Sequence, residues 1–88
     1  MEIRDLRFFC LTAELGSVTK AAEQLMVSQP FVTKVIHGIE DELGTKLFDL
    51  EKRRLILNDN GTYFYKEAKE IIERLDRATG NISAMQDK

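Results

Sequence analysis

The side chains best suited to recognition chemistry lie in one short polar segment. Gln29, Thr33, Lys34 and His37 follow one another at helical spacing, with Pro30 beside them. A glutamine amide can pair with both polar atoms on the major-groove edge of adenine, and a lysine reaches guanine or phosphate. Threonine and proline can touch a thymine methyl group. This pattern is typical of a helix that reads DNA bases.

The sequence offers little for catalysis or metal binding. It has one histidine and one cysteine, too few for a structural zinc site. It contains no nucleophile–histidine constellation and no glycine-rich phosphate loop. Cys10 lies in an amphipathic stretch, where we expect a small buried hydrophobe. We therefore predict no enzymatic activity and no cofactor.

Length and charge limit the function classes further. The chain has 88 residues, 13 basic and 15 acidic side chains and a net charge of −2, which excludes a generally basic nucleic-acid binder. Residues 17–54 hold six basic and six acidic side chains, so a basic site would have to be local. The acidic Glu40, Asp41 and Glu42 fall at the far end of the predicted third helix, away from the basic residues. We find no membrane-spanning run and no signal peptide, and expect a cytoplasmic protein.

The spacing of apolar residues and the positions of glycines and capping residues predict the helices and strands that hold these side chains. Apolar periodicity and glycines predict a helix over residues 3–15, a short helix through Leu25 and a third from Ser28 to Leu43. Two short apolar runs, at 47–48 and 55–57, predict strands of a hairpin. Asn58 or Asp59 can cap a last helix that continues almost to the end of the chain.

The second and third helices fit a helix-turn-helix. Two helices that cross steeply after a very short turn need small or apolar facing residues. Ala21, Ala22, Leu25 and Val27 supply them on one side. On the third helix, the predicted buried face consists of Val32, Val35, Ile36, Ile39 and Leu43. Phe31 lies at the edge of the exposed face, where it either touches a thymine methyl or fills a gap in the domain.

The hairpin predicts a second contact with nucleic acid. Lys52, Arg53 and Arg54 cluster at its tip, although Asp49 and Glu51 partly neutralise them. Such a tip, called a wing, can lie along a phosphate backbone or enter a minor groove. The alternative interpretation is a merely soluble turn.

The last helix carries an apolar stripe at heptad spacing. It is longer than so small a domain can cover, which favours a dimer contact along its distal half. We expect the first turns, with Tyr63, Phe64 and Ala68, to pack on the domain itself. The stripe consists of Phe64, Ala68, Ile71, Leu75, Ala78, Ile82 and Met85.

Several of these motifs match a known family. The run from Gly16 to Leu25, followed by Val27-Ser28-Gln29-Pro30, resembles the N-terminal domain of LysR-type transcriptional regulators, and the match continues to Gly61. The resemblance implies a mainly α fold: a winged helix-turn-helix over residues 1–58 and a linker helix over 59–88. Linker helices of that family pair antiparallel in dimers. A C-terminal domain that binds a small-molecule effector would be absent from this chain, and the full-length protein could form tetramers.

The resemblance also assigns DNA contacts residue by residue. We add His37 from the exposed helix face, as a residue that reaches phosphate. Thr33, Lys34 and Leu50 stand where the family commonly has serine, arginine and arginine, which affects the operator sequence rather than the fold. The assigned residues are Ser17, Thr19, Ser28, Gln29, Pro30, Thr33, Lys34, Lys52, Arg53 and Arg54.

The sequence therefore predicts the DNA-binding domain of a dimeric bacterial transcription regulator that recognises an inverted-repeat operator. The predicted dimer contacts are Phe64, Ala68, Ile71, Leu75, Ala78 and Ile82. The alternative is a winged-helix or coiled-coil module that binds protein and not DNA, which the net charge of −2 and the heptad stripe would also fit.

Overall fold

The fold is mainly helical, with one two-stranded antiparallel sheet. The computed structural model describes residues 1–86, so the last two residues of the predicted 59–88 helix lie outside the described residues. The predicted order of elements and the winged helix-turn-helix architecture are confirmed. The elements are α1 (Ile3–Leu15), α2 (Val18–Leu25), α3 (Gln29–Leu43), β1 (Phe48–Glu51), β2 (Arg54–Leu57) and α4 (Asp59–Gln86).

The predicted helix boundaries arise from capping side chains and left-handed ends. The hydroxyl oxygen of Ser17 accepts a hydrogen bond from the Lys20 amide, and that of Ser28 accepts one from the Phe31 amide. Each hydroxyl oxygen accepts from a backbone amide in the first turn of a helix, where the amides have no carbonyl partner within that helix. Gly16 and Gly44 end α1 and α3 at φ values of 65° and 73°, which glycine adopts without strain.

The core is centred on α1. Phe9 is completely buried, and its ring lies 5.5 Å from that of Phe48 in β1 and 5.3 Å from that of Phe64 in α4. Cys10 is buried beside it, as predicted, and burial raises the pKa of its thiol to about 11. The thiol is therefore neutral at physiological pH and behaves as an apolar side chain.

The helix-turn-helix packs as its small residues predict. Ala21 and Ala22 of α2 and Val32 and Val35 of α3 are all buried. The prediction for Leu43 is wrong, because this side chain is exposed. Leu43 is the last residue of α3, immediately before the helix ends at Gly44.

A buried carboxylate connects α3 to the hairpin. Glu40 is only 7% exposed, and its Oε2 accepts a hydrogen bond of 2.8 Å from the Leu47 amide at the start of the wing. The Lys46 ammonium lies 3.9 Å from the other oxygen. The sequence analysis treats Glu40 only as one of three acids, with Asp41 and Glu42. In the structure, the Glu40 side chain instead holds the wing against α3.

Helix α4 is fixed to α1 by both apolar and polar contacts. Ala68 and Ile72 are buried, whereas Tyr63 is 67% exposed, so the expectation that Tyr63 packs on the domain is wrong. Asp76 accepts a 2.7 Å hydrogen bond from Arg7. One turn beyond Cys10, the Glu14 carboxylate accepts hydrogen bonds from Tyr65 (2.6 Å) and Lys69 (2.9 Å).

Two glycines predict opposite effects of the same substitution. A Cβ at Gly61 would collide with the Leu47 carbonyl oxygen, whereas at Gly38, inside α3, it would meet nothing within 4 Å. We expect Gly61→Ala to lower the free energy of unfolding by about 1–3 kcal/mol through overpacking. Gly38→Ala should raise it by about 1 kcal/mol, because alanine is the better helix former. Urea denaturation measures both, and two changes of equal sign would contradict the packing.

The Glu14 cluster predicts a pH-dependent contribution to stability. Burial raises the pKa of Glu14, but the hydrogen bonds from Tyr65 and Lys69 outweigh it and leave this pKa below its ordinary value of 4.5. The contribution is therefore complete above pH 4.5 and is lost as the pH falls through the lower folded-state pKa. Because both charged partners are partly exposed, we expect Glu14→Gln to cost about 0.5 kcal/mol at pH 7, and less at pH 3.

Urea denaturation of both proteins at the two pH values tests this prediction. The matched control is Glu23→Gln in α2, which removes an exposed acid outside the cluster. An equal loss at pH 7 and pH 3 in Glu14→Gln would contradict a charge-based contact.

Candidate nucleic-acid interface

One face of α3 gathers the side chains predicted to read bases. Gln29, Pro30, Lys34 and His37 are exposed and Thr33 is half-buried. Together with Gly38 and Asp41 they line one shallow groove along the helix. The structure thus brings all five predicted recognition-helix residues to a single surface.

Asp41 lies at the far end of α3, as predicted, but it is not separated from the basic residues. It shares this groove with Lys34 and His37, because residues 34, 37 and 41 follow one another at helical spacing. The negative carboxylate therefore limits the basic surface at the C-terminal end of the groove. The helical spacing, which the sequence contains, could have revealed this.

The N-terminal ends of α2 and α3 meet at the other end of the face. Their capping residues are Ser17 and Ser28. Helix N-termini carry free amide groups and the positive end of the helix dipole, which favours an anion nearby. The Gln29 Nε2 donates a 2.8 Å hydrogen bond to the Thr19 Oγ1 and so joins the first turns of the two helices.

The wing is a hairpin with a two-residue turn. Glu51 pairs with Arg54, which leaves Lys52 and Arg53 at the tip, both exposed. Their φ values are 49° and 67°, the left-handed combination found in type I′ turns. Asparagine and glycine are favoured there, so two long basic side chains occupy positions for which local conformation would not select them.

Arg54 belongs to the domain body rather than to the wing tip. Its Nη2 lies about 3.0 Å from the position that a Cβ of Gly16 would occupy, and the next amide, that of Leu55, donates to the Gly16 carbonyl. Its guanidinium therefore lies beside the residue that precedes Ser17, near the start of α2. The prediction of a three-residue basic tip is wrong in this respect.

A second groove separates α3 from the wing. Thr33 and His37 line its helix side, and Phe48, Leu50 and Leu55 line its hairpin side. Leu50 is 72% exposed, an unusual position for a leucine. Lys46 also lines this groove, and the sequence does not predict it, because an isolated lysine between a glycine and a strand matches no recognition motif.

Phe31 turns away from the recognition face. Its ring meets that of Phe8 edge-on at 5.8 Å, and the Arg4 guanidinium lies 5.4 Å from its centroid. Of the two interpretations of Phe31, the structure therefore favours packing within the domain.

The apolar stripe of α4 divides into two parts. Phe64 packs on Phe9 and Ala68 is completely buried in its own domain, as predicted for the first turns; Ala68 is therefore unavailable to a partner, and its assignment to a dimer contact is wrong. The cause is that α1 covers the first turns of α4. Beyond them, Ile71, Leu75 and Ala78 line a shallow apolar groove with Ile3, and Ile82 is exposed.

Residues 3–62 match the family model of the bacterial regulatory helix-turn-helix proteins of the lysR family. The chain belongs to the lysR family. This LysR-type chain is 36% identical to the HTH-type transcriptional regulator BsdA of Bacillus subtilis over 89 residues, which cover all of this chain and 31% of BsdA. It thus spans about a third of the length of that relative.

Solved structures resemble this LysR-type fold over the whole chain. The BenM_DBD/catB site 1 DNA complex has a TM-score of 0.94 at 31% identity and covers 100% of this chain and 98% of the other. The CbnR_DBD–DNA complex has a TM-score of 0.87 at 34% identity, with full coverage of both chains. The regulator BenM of Acinetobacter baylyi is 35% identical over 77 residues, which cover 88% of this chain and 25% of BenM.

No helix within residues 1–86 combines the length and the apolar character needed to cross a bilayer.

The left-handed turn predicts that the wing can be stabilised. Replacing Lys52-Arg53 with Asn-Gly supplies residues that adopt φ > 0 readily, so the free energy of unfolding should rise by about 1 kcal/mol. Urea denaturation measures the change. Lys66→Gln, which removes the charge of an exposed lysine on α4, is the control, and an equal gain there would contradict the conformational explanation.

Proposed function

We propose that this chain is the sequence-specific DNA-binding domain of a dimeric bacterial transcription regulator. Helix α3 enters the major groove, and the wing contacts the backbone or the minor groove. The observation that carries the proposal is the groove on α3, where Gln29, Thr33 and Lys34 present hydrogen-bonding groups, with the N-termini of α2 and α3 at one end. The DNA complexes of similar domains support it.

The contacts divide by the chemistry of the side chains. Gln29, Pro30, Thr33 and Lys34 read base edges, since they lie on the exposed start of α3. The remaining contacts fix the register through phosphates, with hydroxyls at the helix starts and charged groups elsewhere. These residues are Ser17, Thr19, Ser28, His37, Lys52, Arg53 and Arg54.

The domain organisation follows from the same proposal. Residues 1–58 bind DNA and residues 59–88 link and dimerise. Pairing of α4 with a second copy would cover the apolar residues Ile71, Leu75, Ala78 and Ile82. It would also place two recognition helices in successive major grooves. The operator is therefore an inverted repeat. A regulator of this kind is not an enzyme, works in the cytoplasm and can assemble further into tetramers.

Selection from random duplex DNA tests the function directly. We expect enrichment of an inverted repeat, bound with an affinity that falls steeply as salt rises from 50 to about 200 mM, since phosphate contacts release counterions. The Asn-Gly wing variant should show a slope of log K against log salt that is about two units smaller, because it lacks two cations. Absence of enrichment, or binding insensitive to salt, would instead favour a protein-interaction module.

Gln29 should behave as a base reader. Gln29→Ala removes the amide and should lower the affinity for the selected operator by about 1–3 kcal/mol, with relaxed preference at one base pair of each half-site. Fluorescence anisotropy on operators carrying each of the four base pairs measures this. The control is Gln24→Ala, an exposed glutamine on α2 outside the groove. Equal weakening on all operators would remove Gln29 from the readers.

The distal stripe should form the dimer contact. Leu75→Glu places a charge on the exposed apolar groove, so burial against a second copy would become unfavourable. We expect sedimentation to show a monomer at concentrations where the parent chain is a dimer. Tyr63→Glu is the control, since Tyr63 is exposed on the same helix outside the stripe. A Leu75→Glu protein that remains dimeric would exclude this interface.

A further inference from the structure

The polar contact between α2 and α3 reaches the residue proposed to read a base. Gln29 is the first residue of α3, and Thr19 lies in the first turn of α2. The Gln29 Nε2 donates to the Thr19 Oγ1 at 2.8 Å, and within residues 1–86 this is the one hydrogen bond of the Gln29 amide. Both side chains are exposed, so the bond lies at the surface proposed to face DNA.

This bond determines what the amide has left to offer. A glutamine amide has two N–H donors and one oxygen acceptor. With one N–H engaged by Thr19, a single N–H and the Oε1 remain. One donor beside one acceptor is the combination that complements N7 and N6–H₂ of adenine in the major groove.

The bond also limits the freedom of the amide. The terminal torsion of a glutamine is broad, and an exposed glutamine side chain loses rotamer entropy when it is ordered on a ligand. A partner that already holds the amide in the unbound protein reduces that loss on binding. Thr19 is such a partner, because its helix and α3 share the apolar core, in which Ala22 and Val32 are buried.

We infer that Thr19 is a positioning residue, which sets the Gln29 amide for adenine. The inference rests on the proposed DNA-binding function. The Thr19 oxygen accepts from Gln29, so its hydroxyl proton is available to a phosphate oxygen. The Thr19 hydroxyl then connects a contact with a DNA phosphate to the contact of Gln29 with a base. Successive hydrogen bonds of this kind strengthen one another.

Two substitutions separate positioning from general support. Thr19→Val keeps the size of the side chain and removes the acceptor, whereas Thr19→Ser keeps the hydroxyl. On operators carrying each of the four base pairs at the position that Gln29→Ala affects, we expect Thr19→Val to reduce the preference for adenine about two- to tenfold, the effect of one hydrogen bond. Thr19→Ser should restore it, and the salt slope should stay unchanged because no charge is removed.

The outcomes separate the inference from the proposed function. If Thr19→Val weakens all four operators equally, Thr19 acts only through phosphate or through structure and the inference is wrong. It is also wrong if Gln29→Ala leaves the base preference intact. If the parent protein binds no selected DNA, the proposed function itself fails. Thermal unfolding checks each variant, and Thr19→Ala, which also lacks the hydroxyl, provides the same comparison should Thr19→Val not fold.

Discussion

The arrangement of the other elements depends on the packing of the buried Phe9 ring. Its ring lies in the middle of α1 and meets Phe48 at the start of the wing and Phe64 at the start of the long helix. The same helix buries Leu6 and Cys10 in the common core. One apolar helix face therefore determines the positions of the wing and of α4, and close packing transmits any change in it to both.

Around this core, a few polar bonds add to the apolar packing of α2 and α3 in holding the recognition surface. Glu40 holds the Leu47 amide and so fixes the start of the wing relative to α3. Gln29 and Thr19 join the first turns of the two helices. Because each of these bonds has a defined geometry, the groups proposed to face DNA are already positioned in the unbound chain, which would reduce the entropy lost on binding.

The net charge of −2 is compatible with binding DNA because several acidic side chains are engaged within the domain and the wing tip is basic. Three acidic side chains make contacts within the domain. Glu14 contacts Lys69, Asp76 contacts Arg7, and Glu40 binds the first amide of the wing. The tip instead presents Lys52 and Arg53 in left-handed conformations that disfavour them. Local stability is lower there than it could be, a pattern typical of positions kept for binding. Asp41 on the recognition groove limits nonspecific attraction of phosphate.

The sequence by itself determined the order of elements, the helix boundaries and the recognition face, because these depend on short-range rules. Ser17 and Ser28 cap locally, and the helical repeat alone places Gln29, Thr33 and Lys34 on one side. Contacts between residues distant in the chain were decided only by the tertiary structure. In these contacts Ala68 is buried under α1 and the Arg54 guanidinium lies beside Gly16. Glu40 accepts a hydrogen bond from the Leu47 amide, and Gln29 donates one to Thr19. Such contacts depend on how elements pack in space, which periodicity does not encode.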